Sequence, residues 1–336
     1  MRTFELRRAA SVDDAVLLGA ASPTAQQGAT VRYLAGGTTL LDLMKLDVEQ
    51  PAHVVQIDRL GLDRIEAGED AGLSIGATVR NSDLAHDERV RLGYPVLCEA
   101  LLAGASGQLR NMATTAGNLL QRTRCVYFRD PGMACNKRVP GSGCDALEGY
   151  HRNLALLGTS EHCIATNPSD MNVALVVLEA VVHVAGLHGR RAIPIANFHL
   201  LPRDTPHIET PLMPGDLVTH ITLPPLPPGA RSGYLKLRDR ASYEFALASC
   251  AVVLQVTDGR VERVRLGLGG VATRPWRAVD AEHILTGQPL TVANIEAAAA
   301  VALRDAQPRP GNAFKAELAR RCIVQAIRNV AGEDLQ

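Results

Sequence analysis

Between Arg122 and about Asn167 the chain loses every hydrophobic period, and four of its seven cysteines, Cys125, Cys135, Cys144 and Cys163, fall inside that one segment. A stretch of this length with neither helix nor strand pattern is functional or disordered. Its thiols favour order imposed by a ligand. The gaps between them are 9, 8 and 18 residues, with no C-x-x-C pair, so a zinc ribbon is disfavoured. A [4Fe–4S] cluster needs four thiolates around a larger core, which long loops supply as readily as tight knuckles. Arg122, Arg124, Arg129, Lys137, Arg138 and Arg152 lie around the four cysteines, and cations near an anionic cluster stabilise it. His151 and His162 are alternative ligands, and the blander alternative is a basic surface loop with unligated thiols. An odd cysteine total in a chain of this size argues against a disulfide framework. Cys98, Cys250 and Cys322 sit in apolar surroundings and read as buried fillers.

With 336 residues and 46% hydrophobic content, the chain can build two or three cores. Lysine plus arginine (35) balances aspartate plus glutamate (35), and aromatics make up 4%. No net field or stacking platform therefore points to nucleic acid. The opening residues hold no apolar run of signal-peptide length, and no later stretch is long enough to span a bilayer. Neither membrane insertion nor an export address of the chain's own is expected.

Ser11, three residues before Asp14, reads as a helix cap. Val31 to Ala35 reads as a buried strand that runs into Gly36-Gly37-Thr38-Thr39 and then a helix from Leu40 to Leu46. Strands follow at His53 to Asp58 and Leu73 to Ala77, with helices around Ser82 to His86 and Pro95 to Ala103. After the aperiodic segment, Pro168-Ser169-Asp170 starts a helix, and strands are expected at Val181 to Ala185 and Leu217 to Leu223. The proline-dense Pro224 to Gly229 resists helix and sheet alike and marks the domain boundary. Beyond it lie strands at Gly233 to Arg238, Ala246 to Val256 and Val261 to Leu268, with an Asp258-Gly259 hairpin turn. Helices near Val279 to Leu285, Val292 to Arg304 and Ala313 to Asn329 complete the reading.

The diglycine turn lets the backbone approach a ligand closely and aims free amides and two threonine hydroxyls at one point, as a pyrophosphate requires. It matches neither G-x-G-x-x-G nor the P-loop. A second polar patch, Gly104 to Gln108 and Thr114 to Asn118, has hydroxyls and amides for the rest of a dinucleotide. The alternative for each is an ordinary polar turn.

Five ordered blocks, LAGGTTLLDLMKL (34–46), GASGQLRNMATTAGNLLQRTRC (104–125), CNKRVPGSGC (135–144), CIATNPSDM (163–171) and YLKLRDRASYEFALAS (234–249), together resemble the FAD-binding subunit of the xanthine dehydrogenase family of molybdenum hydroxylases. The likeness extends over essentially the whole chain and is strongest to the periplasmic aldehyde oxidoreductases of bacteria. It implies an α/β plus α+β fold: a flavin domain of two α/β subdomains, of the vanillyl-alcohol oxidase (PCMH) type, followed by a small α+β domain. The corresponding division is 1–223, with a subdomain split near residue 60 and the iron–sulfur insert at about 122–167, then 224–336.

The resemblance further implies that Arg32, Tyr33, Leu34, Ala35, Gly36, Gly37, Thr38, Thr39 and Leu40 hold the FAD pyrophosphate. Ser106, Thr114, Gly117, Asn118 and Ile164 complete the site, Asp170 binds a polar part of FAD, and Lys236 reaches the flavin. Cys125, Cys135, Cys144 and Cys163 are implied to ligate [4Fe–4S]. The implied assembly is a heterotrimer in which a large molybdenum-cofactor subunit oxidises aldehydes to carboxylic acids. A small [2Fe–2S] subunit relays electrons to the FAD, and an external acceptor takes them away. No catalytic residue is expected on this chain. Export to the periplasm on a partner's signal is implied, with the cytoplasm as alternative. Competing readings are the β subunit of a hydroxybenzoyl-CoA reductase, a stand-alone flavin oxidase, and a zinc-stabilised assembly scaffold without redox role.

Overall fold

Strands β1 (Glu5–Arg8), β2 (Val31–Leu34) and β3 (His53–Gln56) form a parallel sheet in the order β1-β3-β2. The computed structural model describes residues 1–68 and 71–335. Parallel neighbours need crossovers, which contain the helices Val12–Gly19 and Leu40–Lys45. Ser11 Oγ accepts from the Asp14 amide at 3.1 Å while Asp14 accepts from the Ala10 amide at 2.8 Å. This cap fixes where the first crossover helix begins.

The second sheet contains β4 (Ile65–Ala67), β5 (Leu73–Gly76), β6 (Val181–Gly186), β7 (Gly189–Pro194) and β8 (Leu217–Leu223) in the order β4-β5-β8-β6-β7, every pair antiparallel. Helix Asp170–Val177 is buried at all eight positions. It packs against helix Pro95–Ala103 on one side and the C-terminal sheet on another, so it lacks the polar face a surface helix keeps.

The third sheet holds β9 (Arg231–Leu237), β10 (Ala248–Thr257), β11 (Arg260–Gly269) and β12 (Trp276–Arg277) in antiparallel order β12-β11-β10-β9. Asp258 and Gly259 both take positive φ, 51° and 72°, which suits a tight two-residue hairpin. Cys250, Val252, Leu254, Leu266 and Leu268 close a core with Ile295, Ile323 and Ile327 from the last helices.

Residues 122–167 contain one short helix, Val126–Arg129, and a small core of their own in which Phe128, Leu154 and Ile164 meet the cysteines and Leu43. Arg138 gathers the segment from inside, donating to the Tyr127 and Phe128 carbonyls at 2.6 and 2.8 Å. From outside, Lys315 of helix Phe314–Ala331 donates to Leu154 O at 3.0 Å and to Gly270 O at 2.6 Å. Those two bonds tie the segment to the C-terminal sheet.

The structure differs from the sequence expectation in the polar patch at 104–118, which forms short helices Gly107–Arg110 and Thr115–Leu119 capped by Ser106 and Thr114, hydroxyls expected to face a dinucleotide. Strands β1, β4 and β7 are also absent from the sequence reading. β1 is exposed at all four positions, so no apolar alternation announces it. Cys250 and Cys322 are buried as expected, whereas Cys98 is only part-buried.

Candidate functional site

The turn after β2 is the centre of the main cleft, a cavity of about 280 Å³ whose walls include Ala35, Gly36, Gly37, Thr38, Thr39 and Leu40. Among the described residues, the amides of Gly36, Gly37, Thr38 and Thr39 donate to no protein acceptor. Successive unpaired amides in a turn make an anion nest. Gly37 has φ +75°, open to glycine at no cost. A Cβ on Gly36 would lie 1.8 Å from the Met112 carbonyl oxygen, so only glycine lets the turn pack against the loop that brings Thr114 and Gly117 to the cleft.

Arg32 and Tyr33 line the cleft but spend their polar atoms on the protein. Arg32 donates to Glu49 at 2.9 Å and to the Ala25 and Gln26 carbonyls at 2.8 and 2.7 Å, holding the 24–27 loop as a wall. Tyr33 OH lies 2.9 Å from Ala15 O and 3.0 Å from Gly215 O. Burial, with the Asp216 charge nearby, pushes its phenol well above the usual range. It therefore stays protonated and structural.

The polar end of the cleft is charged. Arg122 donates to Glu49 Oε1 at 2.6 Å and Glu209 Oε2 at 2.5 Å, and Lys137 Nζ donates to Glu209 Oε1 at 2.8 Å. Burial alone would raise Glu209, but Arg122 and Lys137 hold its carboxyl at about 2. Arg122 Nη2 is buried with no partner in a residue that lines the cleft, a donor left for a ligand or an ordered water. The sequence reading misses Glu49 and Glu209. They are isolated carboxylates, and Glu209 meets its lysine across 72 residues.

Leu34, Ser106, Asn118, Ile164, Asp170 and Lys236 do not line this cleft. Leu34 ends β2, and its side chain lies beside Gly37 of the turn without reaching the cleft. The Ser106 hydroxyl caps helix Gly107–Arg110 by accepting from Leu109 at 3.3 Å, and Thr114 likewise caps Thr115–Leu119 through Gly117. Asn118 accepts from Ser169 Oγ at 2.8 Å, and Ile164 is buried among the cysteines. Asp170 and Lys236 meet each other: Lys236 Nζ donates to Asp170 Oδ2 at 2.7 Å and to Ala103 O at 3.1 Å, and Tyr234 OH donates to Asp170 Oδ1 at 2.5 Å.

Asp170 belongs to a second, smaller cleft of about 140 Å³, where Ser169, Phe245, Ser249 and the Gly269-Gly270 backbone join it. Asn167 lines both clefts, so the two are adjacent, as an elongated dinucleotide needs. Arg124 Nε is buried and unpartnered in the wall of this second cleft.

None of the seven cysteines is in a disulfide. Cys125, Cys135, Cys144 and Cys163 share one apolar pocket, and Cys135 and Cys144 pair across an isolated bridge. Burial pushes the Cys125 thiol up to about 12 and Cys144 up to about 11, and the neighbouring thiols push further. Burial also raises Cys163, against the Lys137 charge. Backbone amides reach three of the sulfurs: those of Phe128 and Tyr127 at Cys125, Ala146 and Leu147 at Cys144, and Ala165 at Cys163. Such donors favour thiolates once a cation is present. Among the described residues no three His, Cys, Asp or Glu side chains form a group that could hold a metal ion. His151 instead bonds Leu147 O at 2.9 Å. Cys163 lines the main cleft and Cys125 the second.

The FAD binding domain in molybdopterin dehydrogenase matches residues 2–226, and the CO dehydrogenase flavoprotein C-terminal domain matches 233–330. The chain is 50% identical over 328 residues, 97% of its own length and 98% of the relative's, to the aldehyde oxidoreductase FAD-binding subunit PaoB of Escherichia coli (strain K12). It is 26% identical to the glyceraldehyde dehydrogenase medium chain of Sulfolobus acidocaldarius, across 89% of this chain and 90% of that one. Among solved structures, carbon monoxide dehydrogenase from Hydrogenophaga pseudoflava superposes with a TM-score of 0.77 at 27% identity, covering 99% of this chain and 98% of its own.

Proposed function

The chain belongs to the family of FAD-binding domains of molybdopterin dehydrogenases, and from that premise we propose that it is the electron-transfer subunit of a molybdenum-dependent aldehyde oxidoreductase, carrying [4Fe–4S] beside its FAD. The observation that carries this reading is the shared wall: one pocket of four thiols opens Cys163 to the nucleotide cleft and Cys125 to the neighbouring cleft. Aldehyde chemistry is taken from the relative with half its residues identical.

When bound, FAD supplies exchange between electron pairs and single electrons, and an iron–sulfur cluster supplies one-electron steps. The chain's own residues bind and orient. The amides of Gly36 to Thr39 meet the pyrophosphate, and Asn167 lies where the clefts join. Asp170, held by Lys236 and Tyr234, presents a fixed carboxylate to the second cleft. The four cysteines would hold the cluster, with Lys137 offsetting part of its negative charge. In this reading no side chain of the subunit acts as acid or base on the aldehyde. A large molybdenum-cofactor subunit hydroxylates it, a small [2Fe–2S] subunit delivers electrons, and an external acceptor removes them. We place the heterotrimer in the periplasm, exported on the small subunit's signal; cell fractionation with and without that subunit tests this.

The decisive experiment is iron, zinc and flavin analysis of the purified complex, with an aldehyde and artificial-acceptor assay on the same sample. About four irons and one FAD per copy of this chain, together with aldehyde oxidation, are expected. Zinc without iron in a colourless chain overturns the redox reading. Full cofactor content without aldehyde oxidation turns the assignment toward a hydroxybenzoyl-CoA reductase-like complex.

A further inference from the structure

A continuous row of charged side chains joins the nucleotide turn to the cysteine pocket. It begins at Arg32 on β2, the strand that delivers the diglycine turn, and passes to Glu49, 2.9 Å away. From Glu49 it runs through Arg122 at 2.6 Å to Glu209 at 2.5 Å, and ends on Lys137 at 2.8 Å. Glu49, Arg122 and Lys137 expose only 3%, 13% and 10% of their side chains, so each charge depends on its neighbours rather than on water. Arg122 lies three residues before Cys125 and Lys137 two after Cys135, and Lys137 and Cys163 line the same cleft. Three cations face two carboxylates in this row. The row carries one net positive charge, and its Lys137 end shares the cleft wall with Cys163, where an anionic cluster would add a counter-charge.

A second tie runs parallel. Asp42, in the helix that follows the diglycine turn, accepts from Arg124 and Arg129 at 2.9 Å each, and these arginines flank Cys125. The elements on both sides of the turn are thus tied to the segment that bears the cysteines, Asp42 directly and Arg32 through Glu49. An anionic occupant of the thiol pocket would add a second counter-charge at Lys137, beside Glu209 at 2.8 Å and the Pro206 carbonyl at 2.9 Å.

We propose that occupancy of the thiol pocket sets the affinity of the nucleotide cleft, with Glu209 as the positioning residue that couples them through Arg122 and Lys137. This rests on the reading that the pocket takes [4Fe–4S]. Coupling between two sites is reciprocal, so flavin binding also favours retention of the cluster.

The test measures FAD dissociation constants by flavin fluorescence on the full deflavinated chain, iron-loaded and iron-stripped, in wild type and in Glu209→Gln. Stripping iron is expected to weaken FAD binding about tenfold in wild type, inside the usual range of site-to-site coupling, and by less than about twofold in Glu209→Gln. Equal wild-type affinities with and without iron overturn the proposal. So does the same loss in both backgrounds, which makes Glu209 a merely structural residue. Should Glu209→Gln not fold, Asp42→Asn breaks the parallel, more exposed tie. In that variant a smaller iron effect than in wild type supports the proposal and an unchanged one counts against it. The iron content of the wild-type chain as purified separates the two levels: absence of iron removes the pocket assignment itself, whereas iron without coupling removes only this inference.

Discussion

Single atoms decide whether the nucleotide turn can form. A methyl group on Gly36 would stand 1.8 Å from Met112 O and 3.3 Å from Ala113 Cα, both backbone atoms that cannot swing aside. Gly36→Ala is therefore expected to cost about 1–3 kcal/mol of stability and to lower the flavin recovered per chain several-fold, read from visible absorbance. His199 gives a pH prediction. Burial holds its imidazole at about 4, against a weaker upward pull from the Leu119 carbonyl. Because the folded value lies below the unfolded one near 6.5, this group's contribution to stability is complete above that pH. It declines as pH falls toward 4, by at most about 3 kcal/mol. Urea midpoints taken from about pH 7 to pH 4 should show this slope, and His199→Asn should flatten it. An identical slope in the variant rules the histidine out as its source.

At the scale of elements, the caps carry more than their local helices. Ser169 Oγ accepts from the Asn172 amide at 3.1 Å and donates to Asn118 Oδ1 at 2.8 Å. It thus starts the fully buried helix Asp170–Val177 and ties it to the loop that reaches the cleft. Ser169→Ala should cost about 1–2 kcal/mol by denaturant unfolding, and Ser169→Asn should restore part of it. Elements with a strong local signal were legible in the sequence: Leu217–Leu223 and Val279–Leu285 appear with the expected bounds, and the Asp258-Gly259 hairpin forms as read. Elements without one were not. β1 has no buried face, and the helices Gly107–Arg110 and Thr115–Leu119 are too short to show a period, so hydroxyls expected to face a ligand turn out to cap helices.

Across the whole molecule, residues 122–167 rest on the small core around their cysteines and on Leu157, which enters the C-terminal core, whereas the second and third sheets close large apolar cores. On the proposed reading, the segment depends for its order on the cluster its thiols would hold. Limited proteolysis of the iron-stripped chain is expected to cut first within this segment, and iron-loaded protein should resist; equal protection in both forms argues against an ordering ligand. The amino-acid sequence by itself determined the order of the strongly periodic strands and helices, the glycine turn after β2, and the gathering of four thiols in one aperiodic stretch. These are local properties, written in periodicity, turn chemistry and residue type. Only the tertiary structure decided that Asp170 pairs with Lys236, that Glu49 and Glu209 hold Arg122 at the end of the cleft, and that Cys163 and Cys125 border two adjoining clefts. Those partners are dozens of residues apart, and which charges meet depends on how the sheets and the insert pack, information that no short window of sequence contains.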